Sequence, residues 1–329
     1  MPESARIRPP TISVVTPTLD RPREVKTLLT NLAAQQHLPL ELVLVDGAPP
    51  ALNDTEDLVR SAMSDLPFAI KYIRRGGGTA IQRNVGIDAA RGEFIAFVDD
   101  DIVLEPSFFE EIMAAYATVR EEHVGAIAGY ITNQYLNPAK SPRWRWYRRL
   151  RLFTTYEPGR FDFATGYPIN RYMQPPHDGI REIDFAGSNC VVWRREVFDQ
   201  GLRFSEFFAD YGVVEDAHLA LSARSRGWKM WEAGRARCVH THSPRGRVSA
   251  RSVARKTAVN YRFLFVDIVP TRTLGQELRF WRVQFVDLFR LFAWAARHGK
   301  KAEWAATVGK LEGIIAATRV RPGATTPPR

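Results

Sequence analysis

Between Thr11 and Ile131 the chain switches repeatedly between two hydrophobic periods, and that switching limits the folds open to it. Apolar runs such as "TISVVTP", "LELVLVD", "FAIKYIR", "FIAFVD" and "VGAIAGYI" have the composition of buried strands. Between them, apolar residues recur at helical spacing over Arg23 to Gln35, Asp54 to Met63, Ala80 to Ala90 and Pro106 to Glu122. Strands alternating with helices predict βαβ units: an α/β fold with a mainly parallel sheet flanked by helices. From Gln134 to Glu182 the periodicity fails, which predicts a long irregular insertion. "IDFAGSNCVVWRREVF" resumes a strand and a helix, and a helix from Glu215 to Ser225 with two short strands follows. Beyond Ser243 the pattern is helical over 249–266, 276–297 and 302–318. The expected organisation is a flexible start (1–10), an α/β domain (11–243), a helical C-terminal extension (244–320) and a disordered tail (321–329).

In open parallel sheets, ligands bind beyond the carboxyl ends of the strands. Thr16, Pro17, Thr18 and Asp20 follow the first strand, Asp46 ends the second, and Asp99, Asp100 and Asp101 end the fourth. A lone aspartate after a strand is usually a turn or cap residue. Three in a row at this edge repel one another, and a divalent cation would relieve that repulsion. Hard carboxylate oxygens suit Mg2+ or Mn2+, ions that take the rest of their shell from water and phosphates. Asp99 and Asp101, two residues apart, reach one side of an extended backbone, so one can hold a cation while the other faces a ribose. His240 and His242 end the apolar run in "CVHTHS", and His240 is the candidate imidazole ligand ahead of His242. Glu215 and Asp216 open a helix, where the dipole favours carboxylates in any case. In a site, the same position offers a fixed base for a hydroxyl proton.

The 329 residues carry a net charge of +10, which favours anionic partners without choosing among them. The N-terminus has no signal-peptide core, and no apolar run approaches the ~20 residues of a membrane span. Cys190 and Cys238 form no disulfide framework, so a reducing, cytoplasmic setting is expected. "RRGGGTA" lacks the Lys-Ser/Thr ending of a phosphate loop and reads as a turn.

The ordered set "VVTPTLDRPREVKTLLTNLAAQ", "LELVLVDG", "IQRNVGIDAARGEFIAFVDDDIVLEP", "FAGSNCVVWRREVF" and "VEDAHLALSARSRGW" resembles family 2 glycosyltransferases, over about Thr11 to His242. That resemblance implies a GT-A fold and an inverting, metal-dependent transfer of one sugar from a nucleotide-diphosphate sugar to an acceptor hydroxyl. It places Thr16, Pro17, Thr18 and Asp46 at the base, Arg83 near base and phosphates, Asp99 and Asp100 at the ribose and metal edge, and Asp101 on the metal. Gly187, Ser188 and Asn189 would lie near the sugar, with Asp216 as catalytic base and Glu215 beside it. "DGAPPALND" departs from the family's usual Asp-Asp-Gly-Ser, so uridine is not assured. No Gln-X-X-Arg-Trp motif follows His242, which favours single transfers over polymer synthesis. Two other classes stay open: a nucleotidyltransferase on a similar sheet, and a basic nucleic-acid-binding protein, although nucleic acid is not the expected partner.

Three basic segments bear on partners. "KSPRWRWYRRLRLF" interleaves arginine with aromatics. "SPRGRVSARSVARK" offers Arg245, Arg247, Arg251 and Arg255 as diphosphate clamps or as a basic linker. In Gln276 to Lys300, Leu278, Trp281, Phe285, Leu288 and Phe292 fall on one side and Arg279, Arg282, Arg290 and Arg297 toward another. Such a helix packs on the catalytic domain, forms a homodimer, or lies on the inner face of an anionic membrane as a peripheral anchor. The acceptor is a glycan, a lipid-linked sugar or a small molecule.

Overall fold

The computed structural model describes residues 9–209, 212–242 and 249–328. The flexible start expected for 1–10 and the candidate clamps Arg245 and Arg247 therefore fall largely or wholly outside the described residues.

Four parallel strands form the first half of the sheet: β1 (Ile12–Thr18), β2 (Glu41–Asp46), β3 (Ala69–Arg74) and β4 (Phe94–Val98). They are ordered β3-β2-β1-β4. β1, β2 and β4 are buried along their whole length, as their unbroken Val/Ile/Leu/Phe runs require. Helices α1 (Pro22–Ala33), α2 (Asp54–Ala62) and α3 (Thr79–Ala89) connect them. α1 starts with proline in its first turn and buries Val25, Leu28, Leu29 and Leu32, a stripe at helical spacing worth about 1.5–3 kcal/mol per side chain. α3 approaches the sheet so closely that a Cβ on Gly86 would lie 2.2 Å from a Val15 methyl carbon. Only glycine permits that approach, and it holds Arg83, one turn earlier, over the strand ends.

The second half is mixed. The short β5 (Ile102–Leu104) and α4 (Phe108–Thr118) lead to β6 (Val124–Ile131). After α5 (Pro142–Arg149), the hairpin β7 (Phe161–Asp162) and β8 (Tyr167–Pro168), and β9 (Ile180–Ile183), β10 (Cys190–Arg194) inserts between β4 and β6. β10 is antiparallel to both neighbours, so β6 points the same way as β4. α6 (Arg195–Asp199) and α7 (Glu215–Ser225) precede β11 (Lys229–His240), which is parallel to β6. Six strands thus share one direction, and the sheet is mainly parallel despite three reversed members.

Two expectations are corrected here. The two short strands after α7 are one 12-residue strand. Its register shifts between Ala233 and Arg237, and this bulge lets one strand pair β9 first and β5 last. The stretch 134–182 is not irregular throughout. α5 was hidden because only Trp144 and Tyr147 are buried in its arginine-rich turns. Those residues join Phe153, Tyr167 and Val283 in a cluster of their own.

α8 (Ala250–Ile268), α9 (Leu274–His298) and α10 (Lys301–Ala317) complete the chain. A capping box at Thr273 and Gln276 starts α9, and Gly299, at φ 67°, ends it. Val259, Phe263 and Val266 of α8 belong to the same hydrophobic cluster as Val191 and Phe97 of the sheet. Phe263 stacks on Phe207 with ring centroids 3.8 Å apart. The stretch read from its composition as disordered, 321–329, is mostly exposed among its described residues and makes two hydrogen bonds to α8. Val320 is buried, the Gly323 amide donates to Asp267, and Arg255 donates to the Pro328 carbonyl. α9 also departs from simple packing: it buries Phe280, Val283, Gln284 and Ala295, whereas Leu278, Phe285 and Phe292 stay exposed.

Candidate active site

The carboxyl ends of β1, β2 and β4, the start of α3 and the start of α7 converge on one edge of the sheet. Asp46, fully buried at the end of β2, accepts from the Asp20 and Ala48 amides through Oδ1 and from the Tyr72 hydroxyl through Oδ2. Burial, with this bond, raises the Tyr72 phenol above its usual range. Gln82 donates to the Thr18 and Val45 carbonyls at 2.9 and 2.8 Å, tying α3 to both strands. Thr16 donates to the Val98 carbonyl and is closed into the sheet, with Pro17 buried beside it.

The three aspartates have three different environments. Asp99 meets the Arg83 guanidinium at 2.9 Å. Asp100 turns the other way, accepting from Thr18 at 2.7 Å and pairing with Arg21 at 2.9 Å. Asp101 stands 3.1 Å from Nε2 of His240. Their repulsion is therefore relieved by side chains already in the fold. Burial raises the Asp99 carboxyl against the pull of Arg83, with Asp101 adding to the rise. Burial also pushes Asp100 up to about 6, opposed by Arg21 and Thr18. Asp100 thus braces the loop between β1 and α1, a task its sequence position did not reveal.

Arg83 bridges two elements far apart in the chain. It is 4% exposed and also pairs with Glu215 at 3.1 Å. Glu215 opens α7 just after Val214, which sits at φ 63°, a left-handed conformation rare for a β-branched residue. Strain of this kind persists only where the surroundings fix it. Asp216 follows. Burial, with the neighbouring Glu215 charge, pushes its carboxyl up to about 7, while the Ala217 amide and Arg83 pull the other way. A Cβ on Gly187 would stand 3.3 Å from Asp216 Oδ2 and 3.1 Å from Asn189 Oδ1. The Asn189 carbonyl accepts from the Asp99 amide, and Ser188 is buried. Gly187 to Asn189 thus connect the Asp216 side of the crevice to the Asp99 side.

Four contributors were missed by sequence reasoning: Tyr72, Gln82, Arg21 and Gln134. Gln82 and Arg21 adjoin motifs that were noticed. Tyr72 and Gln134 gave no local signal, because strand register brings Tyr72 to Asp46 and the turn after β6 brings Gln134 to His240.

Two observations bear on which residues could hold a divalent cation at this edge. Among the described residues no three His, Cys, Asp or Glu side chains stand together as a cation site, and Asp99 pairs with Arg83. Asp101 and His240 nevertheless form a hard oxygen and imidazole pair, enough for an ion that takes its other ligands from phosphates and water. The second observation concerns Gln134. Its Nε2 lies 2.8 Å from His240 Nδ1 and 3.0 Å from His242 Nε2, and its Oε1 is buried with no partner among the described residues. Turning the amide over would let that oxygen accept from His240 Nδ1–H and leave Nε2 free to bind a metal, the usual outer-shell arrangement. His242 stacks on His240 at 3.9 Å and serves as its neighbour.

A mainly parallel sheet with this acid-lined crevice at its strand ends defines a GT-A fold. Residues 13–174, just under half of the chain, match the family model described as Glycosyl transferase family 2. The putative glycosyltransferase EpsH of Bacillus subtilis is 33% identical over 105 residues, 32% of this chain and 30% of that protein. The validoxylamine A glucosyltransferase of Streptomyces hygroscopicus is 32% identical over 111 residues, covering 33% of this chain and 24% of the relative. The chain spans about a third of the length of the first curated relatives it matches. Among solved structures, the mannosyltransferase PcManGT of Pyrobaculum calidifontis, in complex with GDP-Man and Mn2+, superposes with a TM-score of 0.57. That comparison covers 95% of this chain and 88% of the mannosyltransferase at 15% identity, a likeness of fold.

Proposed function

We propose that the protein is a metal-dependent, inverting glycosyltransferase that moves one sugar from a nucleotide-diphosphate sugar to an acceptor hydroxyl. One observation carries the reading: Arg83 joins the Asp99 edge of β4 to Glu215 at the start of α7, with Asp216 beside it. The buried carbonyl-and-carboxylate surface around Asp46 suits hydrogen-bond donors on a nucleobase. Asp99 is suited to the ribose, and Gly187 to Asn189 to the sugar, where a missing side chain leaves room. Asp101 and His240 would hold a divalent cation, which when bound supplies positive charge to a departing diphosphate.

Asp216 acts as the base. Its carboxylate accepts the acceptor's proton as the hydroxyl attacks the anomeric carbon from the face opposite the diphosphate. A carboxyl near 7 is better matched to that task than an ordinary aspartate, because proton affinity and the ionised fraction are both substantial. Glu215 stays pinned by Arg83, and its charge keeps Asp216 basic. The active form is the carboxylate, so transfer should rise with pH through about 7 and level off above it.

The test is a panel of nucleotide sugars assayed for Mg2+- or Mn2+-dependent binding and transfer. Asp216→Asn should keep donor binding and lose transfer by roughly 10²–10⁴-fold. Transfer at the parent rate by that variant would end the base assignment, and binding of no nucleotide sugar would end the reading.

A further inference from the structure

The outer side of α9 presents Leu274, Leu278, Phe285, Phe289 and Phe292 to solvent, with Phe285 and Phe289 54% and 57% exposed. Trp304, Val308, Leu311 and Ile315 continue the surface on α10 at helical spacing. A groove of about 350 Å³ runs between the two stripes. More than half of the exposed large apolar side chains among the described residues fall between Leu274 and Ile315. Isolated exposed apolar residues are ordinary; a contiguous patch marks an interaction site.

The patch has a basic margin. Arg279 and Arg297 stand about five helical turns apart on the same side of α9, and both are exposed. Arg282, on that flank, donates to the Leu150 carbonyl just past α5. Trp146 of α5 reaches Phe289 with ring centroids 6.5 Å apart, and exposed Arg145 and Arg149 lie beside it. Of the four carboxylates on α9 and α10, three are paired with bases, and only Glu303 keeps a charge that no base meets among the described residues. Glu277 pairs with Arg262 and Arg272, and Asp287 with Arg290 and Lys310. Glu303 accepts from Trp294, and Glu312 pairs with Arg251.

This arrangement separates the candidate occupants. A second copy laid face to face would set this arginine margin against its own like, with Glu303 alone as an acid not already paired with a base. An anionic bilayer supplies headgroup phosphates for the margin and acyl chains for the aromatic stripe. Among the described residues no helix is long and apolar enough to cross a membrane. We propose that the outer face of α9 and α10, with its arginine margin, docks on the headgroup region of an anionic phospholipid bilayer. The proposal stands on this surface alone and does not need the transferase reading.

The experiment is flotation of the full chain with vesicles of phosphatidylcholine, with and without phosphatidylglycerol. Binding should require phosphatidylglycerol and weaken with salt. Phe285→Glu with Phe289→Glu should abolish it. Arg279→Gln with Arg297→Gln should weaken it by roughly fivefold per charge removed, and this pair leaves the apolar contacts intact should the first variant fold poorly. Failure of the parent chain to float with anionic vesicles would overturn the proposal. So would unchanged lipid binding by the arginine pair, or a dimer in sedimentation equilibrium that Phe285→Glu with Phe289→Glu converts to monomer.

Discussion

At the carboxyl ends of the strands, nearly every charge has a partner inside the protein: Asp46 has Tyr72, Asp99 has Arg83, Asp100 has Arg21, and Asp101 has His240. On the outer face of α9 and α10 the large apolar side chains stay exposed, touching little beyond one another and Trp146. A desolvated carboxylate costs several kcal/mol unless it is paired, so a crevice built from acids must be internally braced before any ligand arrives. An exposed phenylalanine costs far less, and its face can wait for a partner. The first region should therefore be intolerant of small changes and the second tolerant of large ones.

The largest effect should come from the buried cluster that fixes the second half of the sheet. Glu232, 1% exposed, pairs with Arg171, Arg181 and His177. Burial alone would raise its pKa, but His177, Arg171 and Arg181 hold it down to about 2. Its stabilising contribution is thus present above the usual glutamate range and lost as pH falls toward 2. Glu232→Gln should destabilise the fold by about 3–5 kcal/mol, read by urea denaturation at neutral pH. A change under 1 kcal/mol would show the bracing to be weaker than the geometry implies.

Asp101→Ala comes next. On the functional reading it removes the cation's carboxylate, so donor binding should lose its metal dependence in calorimetry. Metal-independent parent binding would contradict it. Gln134→Ala should act more gently, weakening Mn2+ binding by roughly tenfold or more through loss of His240 orientation, measured by Mn2+ titration in the electron-spin resonance signal. Unchanged affinity would remove Gln134 from the site. The smallest effect belongs to the outer face: Ile315→Lys, at a residue 56% exposed, should shift stability by no more than about 0.5 kcal/mol in the same urea experiment. A large loss there would mean that the face is packed in solution and the contrast false.

Much of the crevice was legible in the chain. The alternation of periods gave the parallel half, and acids after apolar runs marked the edge where carboxylates gather, because a strand end is a local event. Asp46, Asp99 and Asp101 could be picked out this way, and Glu215 and Asp216 as acids that open a helix. The roles of Asp100 and Tyr72 could not, since Thr18, Arg21 and Asp46 reach them only across neighbouring strands.

Periodicity and composition alone determined the strands and helices of the first half, which of its ends carry acids, and that α9 is amphipathic with arginines to one side; they did not reveal α5 or the single long β11. Only the tertiary structure decided which acid meets which base. The pairing of β5 with β11 sets His240 opposite Ile102 and so beside Asp101, and α3 carries Arg83 to Glu215. It also decided that the aromatic side of α9 faces outward, because Phe280 and Val283 on the opposite side had already filled the available core. Local sequence fixes a side chain's direction on its own element, whereas contacts between distant elements depend on strand order and register.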